Sequence, residues 1–368
     1  MSLTSRRQFI KSSLLLTTAM FLPGCWPNKN RVSDRLLVSA CTGFDGEHYV
    51  AAITDAGELV TQIKLPARAH ECLALPDKPG RALVIARRPG DFLLEVDFIT
   101  GQIVNQVSSE PGYHFYGHGC LLPGGEYICT SENNYDRGAG RLVLRERSSL
   151  KVVEALDSGG IGPHQIKVMP DETTLVIANG GILTHPEQPR KKLNLDSMRP
   201  NLAYMSLTDG QILDRFELAN HRLSIRHLDV CEKGKVVAGL QYQGPKTDIN
   251  PLLISHQGES QLSPFKGDED TWLAMAQYVA SLCIDSSSDL VAASCPKANL
   301  VTLWQLSTGK FLARHKIRDG AGLTLSERGV WVSNGKGGMF EVNGKHKTSK
   351  FQHPTLRWDN HLTQIHTV

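Results

Sequence analysis

The 368-residue chain lacks the short signatures by which many sequences announce a chemistry. It has eight cysteines but no CxxC or CxxCH, which leaves covalent c-type haem attachment and a paired-thiol redox motif unsupported. There is no GxSxG, no HExxH and no glycine-rich phosphate loop, so a serine hydrolase elbow, a zincin helix and a P-loop are excluded as motifs. No apolar run reaches the roughly 20 residues needed to span a bilayer as a helix. No catalytic residue is assigned on these grounds.

What is present begins at the amino terminus. The stretch SRRQFIK sets Arg6 and Arg7 ahead of a short apolar run ending at Leu22, the form of a twin-arginine export signal. LPGC, Leu22 to Cys25, has the form of a lipoprotein cleavage box in which Cys25 would be acylated. Arg6, Arg7 and Lys11 are three of the 40 basic residues, leaving 37 against 37 acidic ones. A balanced mature chain argues against nucleic acid or an anionic membrane as partner, leaving a lipid anchor as the membrane attachment. Residues 1–25 therefore read as a signal peptide, 26–34 as a short linker and 35–368 as one domain exported to the periplasm.

That domain is repetitive. Segments starting at His70, His118, His164 and His227, then at Ala280 and Ala321, each run as an apolar strand, a turn rich in Pro, Asp, Gly or Lys, and a second strand ending in polar residues. A further hairpin follows each pair. Four strands every 40 to 60 residues, roughly, is the pattern of propeller blades. RLLVSACTGFDGEHYVAAITDAGELVTQIKL supplies only three strands of a blade, and the closing NHLTQIH has the form of the missing one. The expected fold is all-β, a seven-bladed propeller closed by pairing of the carboxy-terminal strand into the amino-terminal blade, which removes two exposed sheet edges.

In a propeller the start of each first strand and the end of each second strand share one mouth of the central channel. The first column reads His361, His70, His118, His164, His227, Ala280 and Ala321. The second reads Cys41, Arg87, Glu132, Asn179, Gln241, Cys295 and Asn334. Imidazole suits iron, copper and zinc, so the five histidines are candidate metal ligands, with Cys41 and Cys295 as further candidates. The width of a seven-bladed channel points to a cluster, or to an off-axis site served by adjacent blades. Arg87, Glu132, Asn179, Gln241 and Asn334 are candidate ligand-binding residues, as is His185 in the long insertion Gly180 to Asn201, which also carries Lys191, Lys192 and Asn194. A second insertion, Lys266 to Val279, reads as a short helix with Trp272 and Met275 facing inward. Glu71 and Glu132 lie beside histidines, within reach of acid–base work.

Long motifs fix a family resemblance: ARRPG at 86–90, HFYGHG at 114–119, SENNYD at 131–136, GIGPHQ at 160–165, ANGGILTHP at 178–186, KLNLDSM at 192–198, LSIRHL at 223–228 and WDNHL at 358–362. With these the chain resembles the proteobacterial periplasmic family called domain of unknown function 1513. The resemblance implies a propeller, twin-arginine export, and the company of imelysin-like iron-related lipoproteins and a di-haem oxidoreductase-like protein in iron-responsive gene clusters. Together with the histidine column it implies an accessory protein that binds a metal or ligand in iron or copper acquisition. The alternatives are a metal-dependent oxidoreductase or lactonase-like hydrolase using the same mouth, or an interaction scaffold whose histidines only brace the blades.

Overall fold

The computed structural model describes residues 34–188 and 191–368. The expected signal peptide, the possible lipidation of Cys25 and nearly all of the linker lie outside them. No described helix is long and apolar enough to cross a membrane.

The described residues form seven antiparallel sheets, six with four strands in sequence order and one that joins the two ends of the chain. In that closing sheet, Arg35–Gly43 pairs on one side with His48–Ile53 and on the other with Leu356–Trp358 and Thr363–His366. The protein is a seven-bladed β-propeller closed as expected. Blade one combines the two ends; blades two to seven open with Ala69–Ala74, Tyr113–Leu121, Pro163–Val168, Leu223–Val230, Ser281–Asp285 and Gly320–Ser326.

Burial explains the order of the strands. Inner strands such as Arg81–Ala86 and Leu290–Cys295 are buried along almost their whole length because both faces meet neighbouring blades. Outer strands such as Leu59–Lys64 and Val152–Asp157 are mostly exposed, and their sequences alternate or turn polar accordingly. The apolar clusters run across blade boundaries: one holds Val176, Leu228, Ile254, Val279, Val291 and Trp304 from blades four, five and six. Stacking of sheets face to face, not the individual sheet, is what builds the core.

The second insertion folds as expected. Asp268 caps the helix Glu269–Ala274 by accepting from the Thr271 amide at 2.8 Å. Trp272 and Met275 are buried, and Trp272 stacks on Trp304 with ring centroids 4.7 Å apart.

Candidate metal centre

Five first strands carry the histidines to one place. His70, His118, His164, His227 and His361 are all buried, and every measured pair of their ring centroids lies between 4.5 and 6.2 Å apart. Two trios, His70 with His118 and His164, and His118 with His227 and His361, bring one ring nitrogen from each member within 4.8 Å of the others. The rings gather more closely than the channel width led us to expect.

The local backbone supplies the reason. The register of strand one against strand two shifts at Ala69/Cys72, Phe115/Gly119, Pro163/Ile166 and Ile225/His227, so that four of the histidines sit at irregularities in their strands. Such bulges turn a side chain away from the regular alternation. Of the two blades that bring no histidine to the channel, blade six has a regular first pair and blade seven shifts at Gly320/Leu323. Gly117, at φ +102°, belongs to the same construction: a Cβ there would lie 2.5 Å from Cδ2 of His70.

Hydrogen bonds hold the frame and leave the rings open. Ser131 Oγ donates to the His118 carbonyl at 3.2 Å and the His164 carbonyl at 3.0 Å, and Ser39 Oγ donates to the His361 carbonyl at 2.6 Å. Residues just after the histidines tie successive blades: Thr363 donates to the Cys72 carbonyl, Gln165 accepts from the Leu228 amide, and Glu71 accepts from the Gly119 amide at 3.2 Å. The other ring contact of Glu71 is His118 Nδ1 at 3.1 Å. A carboxylate can only accept, so Nδ1 carries a proton and Nε2 is the nitrogen left to face the cluster. That nitrogen, both nitrogens of His70, Nδ1 of His164, Nδ1 of His227 and Nε2 of His361 are buried without a hydrogen-bond partner among the described residues.

Burial favours the neutral form of four of these rings, His70, His164, His227 and His361. Desolvation, then the neighbouring His361 and His118, holds His70 well below the ordinary imidazole range; desolvation and then His227 does so for His164, and desolvation and then His361 for His227. Desolvation, followed by His118, brings His361 down to about 3. For Glu71, burial pushes the carboxyl up, but the coulombic and hydrogen-bond effects of His118 outweigh it and leave the group below its usual range.

Elsewhere the polar column disperses. Gln241 lines the cavity over the histidines, and its Nε2 donates to the Val279 carbonyl at 3.0 Å. Arg87 lines it too, with Nη1 3.5 Å from Asp359. Glu132 does not join them: it is fully buried between Arg145, at 2.6 Å, and Arg141, at 2.7 Å, as the anchor of an internal ion pair. Asn179 is fully buried too, donating to the Ser158 carbonyl and to Asn201. Asn334 staples its own turn by accepting from the Lys336 and Gly338 amides.

His185 stands apart from the cluster, with Asp136 at 3.6 Å and its ring edge-on to Tyr135. Cys41 and Cys295 are buried in two different apolar clusters. Burial, with Asp359 adding, pushes the Cys41 thiol up to about 12, and burial alone raises Cys295, so neither is poised as a thiolate. Of the polar residues in this column, Arg87 and Gln241 reach the cavity while Glu132, Asn179 and Asn334 are taken up by partners in their own blades, a difference the repeat alignment does not encode. Glu71 as the partner of His118, and the serine clamps Ser39 and Ser131, were not singled out in those roles by the sequence. A serine near the end of strand two, two residues before Cys41 and one before Glu132, was the available signal.

Solved structures share the architecture. Hydrazine synthase from Kuenenia stuttgartiensis superposes with a TM-score of 0.61 at 12% identity, covering 85% of this chain and 94% of that one. BamB from Moraxella catarrhalis gives 0.54 at 11% identity, covering 91% of each. At such identities the likeness shows a fold alone. No curated protein matches the sequence. The model of the family described as "Protein of unknown function (DUF1513)" matches residues 63–365, and the chain belongs to that family.

Proposed function

We propose that the five-imidazole centre binds one transition-metal ion, and that the protein serves as an exported accessory factor in iron or copper handling. The observation that carries this reading is the set of six unpartnered ring nitrogens in one buried cluster. A buried polar atom left unpaired costs about 1–3 kcal/mol, so six together approach the roughly 5–15 kcal/mol that keeps a domain folded.

Histidines that brace this fold look different. His114 Nδ1 donates to the Phe115 carbonyl at 2.9 Å, His315 Nε2 contacts the Gly344 carbonyl at 2.8 Å, and His256 is held by Tyr204 and by the Glu259 carbonyl. Ring nitrogens in the channel face one another instead. Ligands of a shared ion at about 2.0–2.1 Å sit about 3–4 Å apart, within reach of small ring rotations from the separations seen here.

One ion is favoured over two. Both trios use His118, and with Nδ1 engaged by Glu71 it has a single nitrogen to give. Neutral nitrogen donors without a carboxylate suit copper, zinc or ferrous iron over magnesium or calcium. The bound ion would supply Lewis acidity or redox chemistry. The chain's own part is to fix ring orientation through Glu71 and the serine clamps.

The test is the metal content of untagged protein isolated from the export compartment, compared with a His118→Ala/His164→Ala variant. About one equivalent in the first and loss of most of it in a folded variant supports the reading. Protein that takes up no copper, zinc or iron on titration, with a variant that only loses stability, returns the histidines to a bracing role. For the physiological role, deletion of the gene should lower growth or cellular metal under iron or copper limitation; unchanged growth and uptake would count against it. Association with an imelysin-like lipoprotein or a di-haem oxidoreductase-like protein belongs to the same proposal and is tested by co-purification from a detergent-solubilised cell envelope together with the periplasmic fraction.

A further inference from the structure

Over the histidines lies a cavity of about 270 Å³, with His70, His164 and His227 in its lining. Its other charged lining residues are Arg87, Arg88, Lys192, Arg226 and Lys297, and no carboxylate lines it. Balanced net charge gives no hint of this concentration. The residues outside the described set contain no Asp or Glu, so none of them supplies a hidden counter-charge.

The cations are held by neutral groups. Arg88 Nη1 donates to Tyr116 Oη at 3.1 Å and Thr184 Oγ1 at 3.0 Å; Lys192 donates to the Gln243 side-chain carbonyl; Lys297 Nζ sits 4.0 Å from the centre of the Tyr278 ring. Arg226 is the most telling. Only 7% exposed, it donates from Nε to Ser224 Oγ at 3.2 Å and has no acidic partner among the described residues. It is the extra residue of the bulge in blade five, and Arg226 and the adjacent His227 both line the cavity. Arg87 alone has a carboxylate, Asp359, which it shares with Arg68. Burying a guanidinium without a counter-ion is costly, and a protein keeps such an arrangement where an anion completes it.

We propose that this cup is a binding site for a small oxyanion carrying two or three negative charges, a polycarboxylate or a phosphate, seated directly above the histidine cluster. Guanidinium forks from Arg226, Arg88 and Arg87 match the paired oxygens of either group, and the rim lysines Lys192 and Lys297 supply charge without fixed geometry. The volume admits a tricarboxylate. This site stands on the cations and does not require the metal; where an ion is present, the anion would meet it from the open side.

The experiment is calorimetric titration of the full chain, stripped on a chelating resin because soluble chelators are themselves polycarboxylates. Citrate, phosphate, acetate and chloride are compared at constant ionic strength. Citrate or phosphate should bind one to one at least tenfold more tightly than acetate or chloride, and whichever leads identifies the oxyanion. Arg226→Gln should weaken that binding tenfold or more while leaving the anion-free melting temperature unchanged or higher. Should that variant misfold, Lys192→Gln/Lys297→Gln on the exposed rim should still weaken it several-fold. His118→Ala removes a candidate metal ligand and no cation from the cup, so it should keep the anion. Equal weak binding of all four anions, undiminished binding by the lysine variant, or loss of citrate and phosphate in folded His118→Ala overturns the proposal.

Discussion

Replacing Glu71 with glutamine tests the metal centre through a residue that would not itself touch the ion. In the native protein one carboxylate oxygen takes the His118 Nδ1 proton at 3.1 Å and the Gly119 amide at 3.2 Å. Glutamine has the same shape, and its carbonyl can accept both bonds, so the fold should survive. What disappears is the negative charge that favours the Nδ1–H tautomer and makes Nε2 more basic. Loss of an outer partner of this kind lowers metal affinity about 10- to 100-fold, equivalent to about 1.4–2.7 kcal/mol. The amide also gains a second orientation, in which its NH₂ would face His118 and favour the wrong tautomer. Competition against a chromophoric chelator, with copper and zinc in turn, reads the affinity; the melting temperature of the resin-stripped variant reads the fold. Native affinity in a folded Glu71→Gln variant would refute the argument that Glu71 positions His118 for a ligand.

Further expectations concern the frame. Ile365, buried in the closing strand, should cost about 2–5 kcal/mol as Ile365→Ala in urea unfolding, and a change within error would mean that this strand does not close the ring. Gly117→Ala places a methyl against the His70 ring in a backbone conformation that favours glycine, so it should both destabilise by at least about 1 kcal/mol and weaken metal uptake; an unaltered protein would contradict the packing. Acid should unfold the metal-free chain early. Imidazoles with folded pKa values depressed below the unfolded value of about 6.5 contribute stability that is present above that pH and lost as pH falls below it, by about 2 kcal/mol for each ring still neutral at pH 5. The urea midpoint at pH 5 should accordingly fall well below that at pH 7.5, and equal midpoints would sink the claim.

The fold was legible because its determinants repeat. Each blade restates the same strand, turn and strand, and the orphan segment NHLTQIH announced the closure found between Thr363–His366 and Arg35–Gly43. The histidine column was legible for the same reason: equivalent positions in equivalent blades are carried to one axis. Its closeness was not, because the bulges beside His70, His118, His164 and His227 depend on register against the second strand, which an ungapped reading of the repeat does not resolve. The second column misled for a related reason. Glu132 ends strand two as Arg87 does, but Arg141 and Arg145 on the adjoining strand capture it, and that pairing is set by tertiary register. Lys192 and Lys297 reach the cup from a loop and a turn over a hundred residues apart, a proximity that no local pattern records.

X-ray absorption at the edge of whichever metal the protein binds tests the central claim most directly. A metal held by the histidine cluster gives a nearest shell of nitrogen from at least three imidazoles at about 2.0–2.1 Å, with the outer-shell scattering of histidine rings and no sulfur at about 2.3 Å. A shell dominated by sulfur, a shell of oxygen without imidazole scattering, or a protein that retains no metal at stoichiometric loading would contradict it.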